Sequence, residues 1–360
     1  MNSEILITGG AGFIGSALGT VLIERFGSEV VAFDNLLEQV HPNGVPPESF
    51  NKDARLLRRD VRDRDAWSEL FATYKPDYIV HFAAETGTAQ SLTESARHSS
   101  VNVLGTSELL DALGRAGHRP KKLLLSSSRS IYGEGAWRSE SGAIFYPGRR
   151  SHKQLAEARW DFDGPSGEKA VALPHRAGST FPNPTSIYAA TKLAQEHILG
   201  SWCEAFGVPL AILRFQNVYG PGQSPFNPYT GITNIFHKVA ARGQAIDVYE
   251  DGNIGRDFVF IDDVVEACAA SLFDQSADSF TCDVGYGSPL TIHAAAKIIA
   301  GLHKAPEPFI SGKFRDGDVR WAVADANAMK SALGIAPRTN FQTGAKLVGD
   351  WLREKGHLLD

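Results

Sequence analysis

The sequence predicts an α/β protein, a doubly wound parallel sheet followed by a smaller mixed α/β part, and three observations carry that prediction. The chain opens on an apolar run, Ile5-Leu6-Ile7, that enters a glycine-rich turn and then a helical stretch. A second apolar run, Glu29-Val30-Val31-Ala32-Phe33, ends on a lone acid, Asp34. Apolar runs of strand length then alternate with helical stretches as far as Phe215, the pattern of successive βαβ units.

The first turn also carries chemistry. Gly10, Gly12 and Gly15 satisfy Gly-x-Gly-x-x-Gly, and Gly9, Gly12 and Gly15 give the alternative Gly-x-x-Gly-x-x-Gly spacing. Glycines let backbone approach a pyrophosphate, whose charge then rests on the free N–H groups and positive end of the following helix. Asp34 stands nineteen residues past Gly15, where a carboxylate accepts hydrogen bonds from an adenosine ribose and repels a 2′-phosphate. The expected cofactor is therefore NAD rather than NADP, in a Rossmann-type domain.

With 360 residues the chain has room for two domains. Hydrophobic residues at 43% and charged residues at 21% describe a soluble globular protein. A net charge of −5 argues against a broad surface for nucleic acid or anionic lipid. Three scattered cysteines, Cys203, Cys268 and Cys282, make neither a disulfide framework nor a zinc site, and no metal is expected. No apolar run reaches the eighteen or so residues of a membrane span, and the start of the chain, with Glu4 and an immediate strand, does not read as a leader. A cytoplasmic location is expected.

In order, residues 41–47 read as a loop, Arg55–Val61 as a third strand, and Asp65–Tyr74 as a helix broken by Lys75-Pro76. Asp77–Ala84 reads as a buried parallel strand, with His81 a packed strand residue rather than a ligand. The polar segment Glu85–Ser91 follows its carboxyl end, where open parallel sheets place ligands. A long helix is expected over Thr93–Ala116 and a fifth strand over Lys121–Ser128. From Glu134 to Asn183 periodicity fails, which leaves a functional lid or a small embedded subdomain, with a short helix near Ser151–Arg159. A helix from Pro184 to Phe206, ended by Gly207, precedes a strand over Val208–Phe215. Beyond lie a helix near Ile232–Arg242, strands near Ile246–Tyr249 and Arg256–Phe260, a helix from Asp262, and a strand near Thr281–Val284. The expected domains are 1–214, interrupted by the 134–183 insertion and joined by a returning segment at about 256–275, and 215–360.

Tyr188 and Lys192 stand four residues apart, on one helix face. A fixed ammonium favours a phenolate, and the positive nicotinamide of oxidised NAD adds to that effect, so Tyr188 is the candidate base for a sugar hydroxyl.

With the cradle Thr8–Gly15, Asp34-Asn35, Asp60-Val61, Ser128–Gly133, Tyr188–Lys192 and Arg214–Gly222, the chain resembles the extended short-chain dehydrogenase/reductases, in particular the nucleotide-sugar epimerases and dehydratases. The resemblance implies Ser128, Tyr188 and Lys192 as catalytic residues. It implies cofactor contacts at Gly9, Gly12, Phe13, Ile14, Gly15, Asp34, Asn35, Asp60, Val61, Phe82, Ala83 and Ala84, with Tyr188 and Lys192 at the nicotinamide end. It places Thr86, Ser128, Arg129, Asn217, Arg256 and Arg315 on a nucleotide-diphosphate sugar, and implies a homodimer through the helices near 93–116 and 184–206. Dehydratases of the group carry an Asp-Glu pair where this chain has Arg129-Ser130, so redox-neutral inversion at C4 is the expected reaction. Within the group, the stretches 84–91, 127–135, 215–223 and 227–232 resemble the dTDP-L-rhamnose 4-epimerases, although the insertion of such relatives often holds a cysteine pair and this one holds none. The alternatives are a UDP-hexose 4-epimerase, a ketoreductase or 4,6-dehydratase, and a dinucleotide sensor without catalysis.

Overall fold

In the computed structural model, which describes residues 3–225, 231–274 and 278–358, the parallel sheet has seven strands. These are β1 (Glu4–Thr8), β2 (Glu29–Asp34), β3 (Arg55–Arg58), β4 (Tyr78–His81), β5 (Lys122–Ser128), β9 (Leu210–Phe215) and β14 (Phe280–Val284), in the spatial order β14-β9-β5-β4-β1-β2-β3. The numbers β6–β8 and β10–β13 belong to the short strands Trp137–Ser139, Ile144–Phe145, Ala170–Ala172, Asn217–Tyr219, Asp247–Val248, Gly255–Arg256 and Phe258–Phe260. Alternation along β1 explains the two faces: Ile5 and Ile7 enter one hydrophobic core and Leu6 the other, all fully buried. Each such side chain contributes about 1.5–3 kcal/mol over its exposed state.

Helix α1 (Phe13–Phe26) follows β1 directly and stops at Gly27, whose φ of 62° lets its N–H return to Ile23 O. Helix α2 (Arg64–Thr73) is capped by Asp63, which accepts from Asp65 and Ala66 N–H. The third strand ends at Arg58, short of Val61, because Asp60 turns the chain out of the ladder by accepting from the Arg62 N–H and Asn35 Nδ2.

The long helix expected over 93–116 is instead segmented. A 3-10 turn (Gln90–Leu92), α3 (Ser95–Ser99), a π-helical turn (Ser100–Leu104) and α4 (Gly105–Arg115) run in sequence. The π turn carries Asn102, which donates to Thr191 Oγ1 at 2.9 Å and to Glu85 O at 3.0 Å, and accepts from the Glu85 N–H. Gly105 lets α4 approach the loop after β3, since a Cβ there would lie 2.6 Å from Val61 Cγ2.

Within the 134–183 segment β6 pairs antiparallel with both β7 and β8, and α5 (His152–Ala156) lies between β7 and β8 in the chain. The segment's strands of two and three residues are too short to show a period. Helix α6 (Ile187–Phe206) starts three residues later than expected because Ser186 Oγ caps the Ala189 N–H. The strand expected over Arg256–Phe260 splits into β12 and β13 at Asp257, whose buried carboxylate accepts from the Tyr286, Gly287 and Ala324 N–H groups. Between β10 and β12, α7 (Ile232–Ala241) precedes β11; α8 (Ile261–Phe273) follows β13 and lies against α1, with Phe26 and Phe273 stacked at 4.6 Å. All three cysteines are buried and free. Among the described residues no helix is long and apolar enough to cross a membrane.

Candidate active site

The carboxyl ends of the central strands open onto a cavity of about 880 Å³. At one end lies the glycine turn. A Cβ on Gly9, where φ is 68°, would stand 2.8 Å from Ala83 N, and one on Gly15 would stand 2.3 Å from Gly9 O, so neither position admits a side chain. Gly12 caps α1 without a side-chain hydrogen bond, leaving the helix N-terminus turned to the cavity beside Phe13 and Ile14. Backbone this close, with an uncapped helix start, suits a diphosphate. Asp34 lines the wall beyond it, fixed by the Ala11 N–H at 3.0 Å and the Leu36 N–H at 2.8 Å. These features fit a dinucleotide.

Asn35, Val61, Phe82, Ala83 and Ala84 also line the cavity; Asp60 does not. Its carboxylate is occupied by Arg62, at 2.8 Å from both Nε and Nη2, and by Asn35, and these hold it down at about 2. Asp60 therefore orients Asn35 instead of facing the cavity itself. Thr8 Oγ1 receives the Phe82 and Ala83 N–H groups and meets His81 Nδ1 at 2.8 Å. His81 Nε2 meets Thr106 Oγ1, so both ring nitrogens are engaged and burial pushes the imidazole down to about 3. It is a packed strand residue.

Across the cavity β5 delivers Ser128 and the first turn of α6 delivers Tyr188. Both side chains line the cavity, the Ser128 hydroxyl near enough to favour the Tyr188 phenolate, and Ser128 Oγ accepts from Ser130 N–H and Ser130 Oγ. Lys192, one turn along α6, donates from Nζ to Ser126 O at 2.8 Å. Burial pushes its ammonium down to about 7, with Glu196 opposing. Glu196 itself is gripped by Arg214 at 2.7 and 3.0 Å and accepts from Ser127 Oγ.

The expectation that Lys192 lowers the Tyr188 phenol is corrected here. Burial raises the phenol, and what opposes burial is the Ser128 hydroxyl and then the Arg129 guanidinium. Lys192 holds the Ser126 carbonyl with one of its three donors and is itself near half-charge at neutral pH, so it supplies less charge than a fully protonated ammonium.

Arg129 Nε donates to Asn217 Oδ1 at 2.9 Å. Burial first and Arg256 second push Arg129 down to about 9. Arg256 is tied to Asp318 at 2.7 Å, and Arg315 lies over the Tyr249 ring at 5.1 Å. Thr86, Arg129, Asn217, Arg256 and Arg315 all face the same cavity. The stretch from Asn227 to Thr230, part of the resemblance, lies outside the described residues. The sequence reading missed Ser130, which holds Ser128, and Arg149, which lines the cavity from the insertion. The basic pair Arg149-Arg150 was the available signal.

The family model for the NAD dependent epimerase/dehydratase family matches residues 5–149 and 166–280. A dTDP-L-rhamnose 4-epimerase of Burkholderia thailandensis is 47% identical over 352 residues, covering 98% of this chain and 95% of that protein. Among solved structures, UDP-glucose 4-epimerase of Thermotoga maritima with UDP-glucose superposes with a TM-score of 0.80 at 28% identity, covering 98% of this chain and 99% of that one. The Thermus thermophilus UDP-glucose 4-epimerase in complex with NAD gives 0.75 at 29% identity, covering 97% and 99%.

Proposed function

Since this chain belongs to the NAD dependent epimerase/dehydratase family, we propose that it is a nucleotide-sugar 4-epimerase that interconverts dTDP-L-rhamnose and dTDP-6-deoxy-L-talose. The observation that carries the reading is that Ser128 and Tyr188 line the same cavity as the glycine cradle, with Arg129-Ser130 where an elimination would need an acid and a base. NAD supplies the acceptor and donor of hydride, by which C4 becomes a ketone and is reduced again on its other face.

The chain's own residues do the rest. Gly9, Gly12 and Gly15, with the start of α1, hold the dinucleotide phosphates, and Asp34 with Asn35 holds the adenosine. Tyr188, as the phenolate that Ser128, Arg129 and the positive nicotinamide of bound NAD would favour against burial, removes the proton of the 4-hydroxyl and later returns one, while Ser128 donates to the same oxygen. Lys192 fixes the nicotinamide ribose and the end of β5. Arg256 and Arg315 hold the sugar's diphosphate, and Asn217 positions Arg129. Inversion requires the keto sugar to turn over within this cavity. We also place the protein in the cytoplasm as a homodimer; Leu92 and Leu104, 49% and 48% exposed beside α3, support pairing through that face.

Incubation with dTDP-L-rhamnose should give the C4 epimer with no added NAD, and UDP-galactose should be a poorer substrate. No inversion of either by NAD-bearing protein overturns the proposal, and a stable keto product would favour the dehydratase reading instead.

A further inference from the structure

The insertion's contribution to the cavity is a pair of arginines with opposite surroundings. Arg150 is only 4% exposed. Its Nη1 donates to Glu250 Oε2 at 2.8 Å and to Trp160 O at 3.2 Å, its Nη2 donates to Asp318 O at 2.8 Å, and its Nε stands 3.4 Å from Glu134 Oε1. One guanidinium thus ties the insertion to the turn Arg315-Asp316-Gly317-Asp318. Both ends of that turn face the cavity, through Arg315 and through Asp318, the partner of Arg256.

Arg149, the preceding residue, projects to the cavity and is exposed. Its guanidinium lies over the turn, close enough that a Cβ on Gly317 would come within 2.9 Å of Nη2. Of the turn's two acids, Asp316 is paired with His152 and Asp318 with Arg256. Among the described residues Arg149 has no ion-pair partner. An ordinary solvated arginine would have no reason to be set against a glycine by a buried, four-way anchored neighbour.

We propose that Arg149 is a third guanidinium for the diphosphate of the nucleotide sugar, delivered by the insertion and positioned by Arg150. The inference rests on the function proposed above and adds a substrate contact to it. Its charge adds to a wall on which Arg256 is already paired with Asp318, and a guanidinium binds phosphate oxygens through two parallel donors. The insertion then does more than cover the cavity: it reads the substrate's phosphates.

The test is calorimetric binding of TDP and TMP to the NAD-loaded protein, with steady-state kinetics on dTDP-L-rhamnose. Arg149→Met should weaken TDP on the order of tenfold and TMP less, raise KM similarly and leave kcat within about twofold. Arg159→Met, on the same insertion but away from the cavity, should change none of these. Equal TDP affinity for Arg149→Met and the unmodified protein overturns the inference and leaves the functional reading standing. Failure of the unmodified protein to bind TDP overturns both.

Discussion

Replacing Tyr188 by Phe removes one oxygen from the centre of the proposed chemistry, and the surroundings of that oxygen define what should happen. Burial raises the phenol, and the Ser128 hydroxyl beside it opposes that. Losing it does not orphan Ser128, whose Oγ keeps the Ser130 N–H at 3.2 Å and the Ser130 hydroxyl at 2.9 Å. The stability cost is therefore that of one ordinary hydrogen bond, about 1 kcal/mol. Activity should respond much more. A positioned acid–base group contributes about 10²–10⁴ in rate, and at about 1.36 kcal/mol per decade the barrier rises by about 2.7–5.4 kcal/mol. The assay is chromatographic separation of dTDP-L-rhamnose from its C4 epimer at matched protein and matched bound NAD. We expect kcat to fall at least a hundredfold, KM to move within a fewfold, and the melting temperature to move by a few degrees. A loss under tenfold with NAD retained would remove Tyr188 from the role of base.

Two other perturbations test the scaffold. Gly15→Ala puts a methyl 2.3 Å from Gly9 O and 2.8 Å from Gly10 Cα, both backbone, so the turn must open; purified protein should lose bound NAD and about 1–3 kcal/mol of stability, and NAD retained at the native level would refute the cradle. Acid should destabilise the protein through three buried imidazoles, which outnumber the buried carboxyls Glu134 and Asp257, pushed up to about 7 and about 6 and acting in the opposite sense. Burial pushes His81, His175 and His237 each down to about 3, while in the unfolded chain each titrates near 6.5. Between those values the unfolded state binds more protons, so stability falls as pH falls, by up to about 1.4 kcal/mol per unit for each ring. Urea midpoints at pH 7 and pH 5 measure this, and an unchanged midpoint would contradict three neutral buried imidazoles.

What could be read from the sequence was what local sterics and short spacings encode. The glycine turn shows because no other residue fits at Gly9 or Gly15, and the Tyr188–Lys192 pair shows because four residues make one helical turn. The electrostatics of that pair could not be read, since they depend on the Ser126 carbonyl, sixty-six residues away, taking the ammonium. The segmentation of 93–116 was hidden for a similar reason: Asn102 in the π turn answers to Glu85 and Thr191, not to its helical neighbours. Asp257 splits a strand by collecting three backbone donors from residues 286, 287 and 324. In the insertion the strands were too short to make a pattern, and Arg150 finds its partners 100 and 168 residues on.

These distant partners also explain why the catalytic wall belongs to the whole chain. Lys192 is buried, and a buried ammonium needs a counter-charge, which Glu196 provides one turn further along α6. Glu196 is in turn held by Arg214 of β9, whose Nη1 donates to Tyr132 Oη at 2.7 Å, and that hydroxyl donates to Asp283 Oδ1 at 2.9 Å. Asp283 lies on β14 and also accepts the Ala177 N–H from the insertion. A break anywhere in this relay leaves a buried charge uncompensated, a larger cost than the loss of a surface pair. The charge state of Lys192 on α6 is thus tied, through Glu196, Arg214 and Tyr132, to Asp283 on β14. Glu196→Gln tests the relay apart from simple packing: the charge that raises Lys192 is gone, so the ammonium should titrate further below 7 and the acid limb of the rate profile should move to lower pH. An unmoved limb would mean that α6 takes its electrostatics from elsewhere.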